Sequence, residues 1–154
     1  MAMAEIEHIR HTLAHLLAAS VRELYPNAKN AIGPAIDNGF YQDFDMGEHK
    51  LSDDDLSKIE RKMREKLKNW KEFERREVSS DEAKKEFGWN EYKCELMEEF
   101  AQEGKTLTFY TIDGFVDLCR GGHAENPAKE IDPKAFKLNR IAGAYWRGDE
   151  KNPM

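Results

Sequence analysis

The sequence predicts a single α+β domain in which helices cover an antiparallel sheet. Two long segments carry apolar residues at spacings of three and four, which indicates amphipathic helices. Two other segments, rich in β-forming residues, flank an Asn-Gly and an Asp-Gly pair, which favours hairpins. Hairpins interleaved with helices are typical of antiparallel sheets. The length of 154 residues is enough for one such domain with its own core.

The first helix is expected over residues 5–25, because Pro26 cannot continue it. We expect its leucine-rich stripe to pack on the sheet. At about 100° per residue, His11 and His15 fall on the opposite face, beside alanines rather than long charged side chains. Such a face suggests a second packed surface with room for a ligand. The stripe consists of Ile6, Ile9, Leu13, Leu16, Leu17, Val21 and Leu24, and the alanines are Ala14, Ala18 and Ala19.

Two hairpins are predicted. The first joins extended runs at 31–36 and 40–44, and Pro34 should lie at an edge or bulge because it donates no hydrogen bond. The second joins residues 106–111 to 115–119 and is the clearer of the two, since its first run is rich in β-forming residues. These runs are the expected strands of the sheet.

Further helices are expected between the hairpins. Ser52 is a favourable N-cap for a long helix over 53–74, which begins with three aspartates. A shorter helix should begin at Ser80 and end at Gly88. The pattern of residues 91–101 fits either a helix or a strand. A last strand is expected over 136–146, with Gly143 at a bulge or close approach.

Composition excludes several classes of protein. A net charge of -6 argues against a polycation that grips nucleic acid unaided. Residues 120–154 carry seven Lys or Arg and five Asp or Glu, which fits a local basic surface or an ordinary solvated one. Two cysteines are too few for a disulfide scaffold. Without a signal peptide or an apolar run of about 20 residues, a soluble cytoplasmic protein is expected.

Two short motifs carry residues able to do chemistry. His11 and His15 are four apart, so on a helix both imidazoles share one face. Cys119 and His123 have the same spacing, at a strand end that runs into a glycine turn. Three imidazoles and a thiol suit tetrahedral zinc. No glutamate follows His11, which excludes the zinc-protease helix motif. Spacing alone does not show that the two pairs meet, and surface histidines remain the alternative.

Longer motifs contain these residues and occur in a specific order. They are His11-x-x-x-His15, residues 31–34 (Ala-Ile-Gly-Pro) leading to 37–41 (Asp-Asn-Gly-Phe-Tyr), residues 117–123 (Asp-Leu-Cys-Arg-Gly-Gly-His) and residues 143–149 (Gly-Ala-Tyr-Trp-Arg-Gly-Asp). On these motifs, the chain resembles the editing domain of threonyl-tRNA synthetase. That domain is similar to the editing domain of alanyl-tRNA synthetase and its free-standing relatives.

The resemblance covers about residues 8–151 and implies an organisation of the chain. Residues 5–149 are expected to be the editing domain, residues 1–4 an expression remnant, and residues 150–154 the start of a linker to a missing catalytic domain. The family often has proline where Gly122 stands. A glycine there loosens the turn without removing a functional group.

The implied activity is hydrolysis of seryl-tRNA(Thr), at the ester that joins serine to the terminal adenosine. Serine is threonine without one methyl group, and such a difference gives a binding site only about 1–3 kcal/mol of discrimination. A second site that admits serine and excludes threonine would remove the wrong product. The reaction needs a positioned water, a group that accepts its proton, and donors for the developing oxyanion.

The resemblance also assigns roles to residues. Asp117 is expected to hold the seryl α-ammonium, and Tyr41 and Tyr110 to lie near the adenosine. Lys93 is expected to hold the water or stabilise negative charge. Without the resemblance, Lys93 would be an ordinary solvated lysine and Asp117 a strand-end residue facing water. His11 is expected to orient or deprotonate the water, because it lies on a rigid helix. The implied catalytic set is His11, His15, Lys93, Cys119 and His123.

The resemblance does not decide whether the site binds a metal, because two branches of the family differ in this respect. The alanyl branch associates the equivalent quartet with zinc, whereas the threonyl branch looks metal-free, so no cofactor is expected for editing. If zinc binds, its ligands would be His11, His15, Cys119 and His123. ATP would serve only the missing catalytic domain. The expected partner is tRNA(Thr) carrying serine, with a monomeric chain, a homodimeric parent enzyme and no membrane association.

Two alternatives to a hydrolase fit the same residues. One is a small domain whose zinc is structural. The other is a tRNA-binding appendage without catalysis that uses the basic tail and Tyr145 and Trp146. Outside the motifs, Cys94 is expected to be a partly buried hydrophobe, and His8 and His49 to be surface residues.

Overall fold

The fold is known from a computed structural model, which describes residues 5–31, 33, 35–36 and 38–144. The α+β class is confirmed, with all strand pairs antiparallel in these residues. The helices are α1 (Ile6–Leu24), α2 (Asp53–Leu67), α3 (Ser80–Phe87), α4 (Glu91–Gln102) and α5 (Pro127–Glu130). The strands are β1 (Lys29–Asn30), β2 (Ala35–Ile36), β3 (Gly39–Phe40), β4 (Phe44–Asp45), β5 (Glu74–Val78), β6 (Leu107–Ile112) and β7 (Phe115–Leu118).

These strands form three small sheets. The largest has the order β5-β6-β7, while β1 pairs with β4 and β2 pairs with β3. Both predicted hairpins are confirmed, although Ile32, Pro34 and Asp37 lie outside the described residues. The turn between β6 and β7 has positive φ at Asp113 (46°) and Gly114 (80°), as hairpin turns with the twist of their strands require.

The leucine stripe of α1 shares a core with α2, and Phe40 of β3 and Phe44 of β4 pack against the same core, which adds a helix partner to the expected contact with strands. Side chains from both helices share one core, to which the sheet contributes Ile112. Ile59, Met63 and Leu67 of α2 form the buried stripe of that helix in this core. Ala14 and Ala18 are buried, as a second packed surface requires. Neither lines the cavity beside the histidines that is described below, whereas Ala19 lines a separate cavity of about 350 Å³.

The second long helix is shorter than predicted. It ends at Leu67, and β5 occupies residues 74–78, so the prediction of helix to residue 74 is wrong. Trp70 and Phe73 continue the apolar spacing, but they reach the core from extended chain. Pairing with β6 supplies backbone hydrogen bonds that outweigh local helix propensity.

The predicted strand over 136–146 is also wrong in its described part. Residues 136–144 form no strand, and Tyr145 and Trp146 lie outside the described residues. Phe136 is buried and Leu138 is half-buried, but most of the following side chains are exposed. A segment without alternating burial or a partner strand has nothing to hold it extended.

Helix α3 confirms its prediction, and residues 91–102 are helical, which resolves the open choice. These two helices cover one face of the main sheet through a second core. Its buried members are Val78, Ala83, Phe87, Met97, Leu107 and Phe109. The opposite face of β6 and β7 carries Tyr110 and Asp117 and faces α1. In the described part of the chain, no helix is long and apolar enough to cross a membrane.

Candidate functional site

The two short motifs meet between α1 and the loop after β7. His11 and His15 project from one face of α1, and Cys119 and His123 come from the end of β7 and its glycine turn. Cys119 Sγ lies 3.4 Å from His11 Nε2 and 3.2 Å from His123 Nε2. One donor atom from each of the four residues lies within 4.8 Å of the others. The four side chains therefore form one cluster, named here the His₃Cys cluster.

Backbone and side-chain acceptors fix the orientation of two imidazoles. His11 Nδ1 lies 3.1 Å from the carbonyl oxygen of Gly122, which can only accept, so Nδ1 carries the proton. His15 Nδ1 likewise donates to Asp117 Oδ2 at 3.1 Å. The two Nε2 atoms then face each other at 3.1 Å. Because two lone pairs would repel at this distance, a proton or a cation must lie between them.

The glycine turn makes this arrangement accessible. Gly121 and Gly122 have φ of 106° and 87°, values that side-chain-bearing residues rarely adopt. Proline, with φ near −65°, is incompatible with this geometry at position 122. At Gly121 a Cβ would also lie 2.8 Å from Tyr110 Oη. Two glycines therefore allow the turn to place the Gly122 carbonyl against His11.

Hydrogen bonds within the cluster shift its pKa values. Burial disfavours the charged form of His15, but Asp117 and Cys119 raise the pKa of His15 to about 9. Burial alone would raise the pKa of the Cys119 thiol, whereas hydrogen bonds from the three imidazoles lower it to about 3. Burial first of all lowers the pKa of His123. At neutral pH the cluster therefore holds a thiolate next to an imidazolium.

A buried ion pair adjoins the cluster. Lys93 Nζ lies 3.0 Å from Asp117 Oδ1, and the two residues are only 5% and 2% exposed. Burial would raise the pKa of Asp117, but Lys93 and His15 hold that pKa well below its usual range. With the Cys119 thiolate and the His15 imidazolium, two positive and two negative charges lie together. This balance offsets the cost of burying each charge.

Four residues outside the predicted set also hold this site. Asn30 donates to Asp117, and Asn90 donates to the Asn30 carbonyl. Thr12 Oγ1 accepts the N–H of Ala124 at 2.9 Å, which ties α1 to the loop beyond His123. Phe73 stacks on His123, with ring centroids 4.3 Å apart. Amides and a hydroxyl without a repeating pattern give no signal in the sequence, although Phe73 belongs to a predicted apolar stripe.

A cavity of about 400 Å³ opens beside the cluster. His123 lines it together with Phe73 and Tyr110, whose ring lies 4.7 Å from that of His123. Its other lining residues are Glu72, Gly122, Ala124 and Glu125. Tyr41 is 42% exposed, just after β3 on the other hairpin, and does not line this cavity. The structure therefore places Tyr110, but not Tyr41, beside the His₃Cys cluster.

The remaining histidines and the second cysteine lie outside the cluster. His49 is exposed and stacks on Tyr25, and His8 is half-buried beside Gly122. Cys94 is half-buried and donates to the carbonyl of Phe87. These positions match the expectations for His49 and Cys94, whereas His8 is closer to the site than a surface residue would be.

The donor set of the cluster fits zinc. Three imidazole nitrogens and one thiolate are ordinary ligands of a tetrahedral zinc ion. The outer nitrogens of His11 and His15 bond to a carbonyl and a carboxylate, as those of zinc-bound histidines usually do. A metal that used all four ligands would have a closed tetrahedral shell. Such a shell leaves no position for a water or a substrate.

Comparison with known proteins covers nearly the whole chain. No family model matches it. A threonine–tRNA ligase of Thermotoga neapolitana is 51% identical over 150 residues, which are 96% of this chain and 23% of that protein. The threonine–tRNA ligase of Borreliella burgdorferi is 49% identical over 145 residues, or 94% of this chain and 24% of that protein. The chain is homologous to a segment of the threonine–tRNA ligases.

The homology to threonine–tRNA ligases concerns only part of those enzymes. A third relative, from Thermotoga petrophila, is 49% identical over 96% of this chain and 23% of its own length. The chain thus spans about a quarter of the length of these curated relatives. The threonyl-tRNA synthetase resemblance seen in the motifs is confirmed. The activity of this segment is a separate question, because the ligase name describes the whole enzyme.

Proposed function

We propose that this chain is an editing module that hydrolyses serine from tRNA(Thr). The observation that supports it most is the His₃Cys cluster, which contacts the Lys93–Asp117 pair through His15 and borders a 400 Å³ cavity through His123. This constellation lies in a segment homologous to threonine–tRNA ligases. In the proposal, residues 5–149 form the editing unit and the substrate is the 3′ end of seryl-tRNA(Thr).

The proposed base is His11. Its Nδ1–H is fixed by the Gly122 carbonyl, so Nε2 is the nitrogen through which His11 would exchange a proton. That nitrogen also faces the His15 imidazole and the Cys119 sulfur, two groups that can take up or release a proton. His123 lines the cavity and would stand closest to an entering ester. A water that enters beside His123 would be oriented and deprotonated by these imidazoles as the ester is attacked.

Lys93 is the proposed stabiliser of negative charge. Its ammonium has three donors, one of which goes to Asp117. In the proposal, another of these donors bonds the developing oxyanion. This hydrogen bond strengthens as negative charge builds up on the carbonyl oxygen during attack.

Asp117 is the proposed partner of the α-ammonium, but its oxygens already have four donors. Oδ1 accepts from Lys93 Nζ and Leu118 N, and Oδ2 accepts from His15 Nδ1 and Asn30 Nδ2. A substrate ammonium would have to displace one of them. The aromatic wall of Phe73, Tyr110 and His123 offers a surface on which adenine could stack. Tyr41 would reach the nucleotide only from the neighbouring hairpin.

Metal-free catalysis is the proposed chemistry. The charge balance described above is complete without a metal, and a zinc ion on all four ligands would lack an open coordination position. Zinc in a closed shell would also occupy Nε2 of His11, the proposed base. A structural zinc site is the second candidate, because the donor set fits it. Loss of folding on chelation would favour that candidate.

The experiment compares single-turnover deacylation of seryl-tRNA(Thr) by the unsubstituted chain, His11→Ala and Lys93→Ala. Each substitution should lower the rate by about 10²-fold or more, the usual scale for one acid–base or oxyanion group. A chelator should leave the unsubstituted rate unchanged. Lys84→Ala removes an exposed lysine from α3 and serves as the matched control for Lys93→Ala.

Unchanged rates in His11→Ala and Lys93→Ala would remove both residues from the mechanism. Loss of activity with chelator, without loss of folding, would instead assign the site to a catalytic metal. Circular dichroism on each variant separates these outcomes from simple unfolding.

A further inference from the structure

A ring of buried polar contacts joins the Lys93–Asp117 pair to two asparagines. Asn30 is 2% exposed and Asn90 is fully buried. Asn30 Nδ2 lies 3.2 Å from Asp117 Oδ2, and Asn90 Nδ2 lies 2.8 Å from the Asn30 carbonyl oxygen. An amide that is buried without hydrogen bonds costs free energy. Both asparagine side chains therefore need these hydrogen-bond partners in the folded state.

Asn90 closes the ring through α4. Its Oδ1 accepts the N–H groups of Tyr92 (3.1 Å) and Lys93 (3.2 Å), which makes it the N-cap of this helix. The same side chain thus fixes the first turn of α4, which carries Lys93, and the end of β1, which carries Asn30. Lys93 then returns to Asp117 at 3.0 Å.

We propose that Asn30 is a positioning residue of the candidate site, held in place by Asn90. Its amide fixes the rotation of the Asp117 carboxylate, so that Oδ1 faces Lys93 and Oδ2 faces His15 Nδ1. His15 is thereby kept with its proton on Nδ1 and with Nε2 directed at His11. Asn30 does not touch the reacting atoms and acts through Asp117. Its effect on catalysis rests on the function proposed above, whereas its effect on His15 does not.

The experiment removes the donor with Asn30→Leu, a side chain of similar size. Nitrogen–proton correlation NMR of the chelator-treated protein should show a protected His15 Nδ1 proton in the unsubstituted chain. In Asn30→Leu we expect this proton to be lost to exchange. The single-turnover rate should fall by about 10–100-fold with little change in KM, the scale for partners that orient active groups. Asn69→Leu, at an exposed turn, is the control.

A second variant separates positioning from helix capping. Asn90→Ser keeps an N-cap oxygen but loses the donor to the Asn30 carbonyl, so it should reproduce the loss of the His15 proton signal. If Asn30→Leu does not fold, Asn30→Ala removes the same donor without added methyl groups. A folded Asn30 variant with an unchanged His15 Nδ1 signal would overturn the proposal. If the unsubstituted chain has no deacylase activity, the proposed function fails, and the NMR arm still decides the role of Asn30.

Discussion

Cys119 shows how strongly a few neighbouring groups can lower the pKa of one side chain. The thiol lies among three imidazoles and also accepts the Gly121 N–H at 3.3 Å. Cys94, the other cysteine, faces a backbone carbonyl instead. The two cysteines therefore provide an internal comparison of two different sulfur environments in one fold.

We predict that Cys119 is a thiolate in mildly acidic solution. In chelator-treated Cys94→Ala, the ultraviolet thiolate absorbance of Cys119 should persist at pH 5 and decline only toward the pKa of about 3. Cys119→Ala leaves Cys94 as the matched control. Adding His15→Ala should raise the Cys119 pKa, because it removes a buried positive charge. A Cys119 titration at the ordinary thiol pKa of about 8.5 would contradict the charge arrangement.

The residues of the cluster could be predicted, but their supports could not. His11, His15, Cys119 and His123 were identified because their spacing and motifs are specific. Asn30, in contrast, contacts a residue 87 positions away, and no periodicity or motif marks such a contact. Single amides and hydroxyls find their partners only when the tertiary fold brings them together.

At the scale of elements, the start of α2 is stabilised by a compact polar group. Ser52 and Asp55 form a capping box, and Asp55 also bonds to Tyr25 and His49. Its bond to Tyr25 contributes most among the contacts that lower the pKa of Asp55 to about 2. This group joins the end of α1 to the beginning of α2 and so fixes the packing of α2 against the helix that carries His11 and His15.

We predict that this contact makes stability sensitive to acid. Since the folded pKa of Asp55 lies below its ordinary value of 3.8, the carboxylate stabilises the fold fully above about pH 4. That contribution should be lost as pH falls toward about 2. Urea unfolding of Asp55→Asn should show a loss on the order of 1 kcal/mol at pH 7 and a shallower acid dependence than the parent. Asp54→Asn, in the same exposed first turn, is the control, and parental acid dependence in Asp55→Asn would exclude this role.

The elements also show where local patterns mislead. The apolar spacing of residues 53–74 continues past the true end of α2, because Trp70 and Phe73 enter the core from extended chain. Spacings of three occur in such segments as readily as in helices, so the boundary depends on the partner strand β6. Helices with caps and hairpins with turn pairs were predicted well, because their signals are local.

At the scale of the whole molecule, charge limits how this chain can meet tRNA. The net charge is -6, so long-range attraction to phosphates is weak. Since the curated relatives are about four times as long, other parts of such enzymes would supply most tRNA contacts in our proposal.

We therefore predict weak tRNA binding by this chain, with marked salt dependence. Filter binding between 50 and 200 mM salt, roughly the range over which phosphate contacts are lost, should show affinity falling steeply. Poly-uridylate of matched length tests whether the contacts are general to the backbone. Tight binding that is insensitive to salt would contradict the charge argument.

The central claim is that this segment removes serine, and not threonine, from tRNA(Thr). Its most direct test is single-turnover deacylation of seryl-tRNA(Thr) and threonyl-tRNA(Thr) by the unsubstituted chain, with enzyme in excess and chelator present. We predict rapid hydrolysis of the seryl ester and a threonyl ester that decays no faster than it does without protein. Equal hydrolysis of both esters, or no acceleration of either one, would contradict the account.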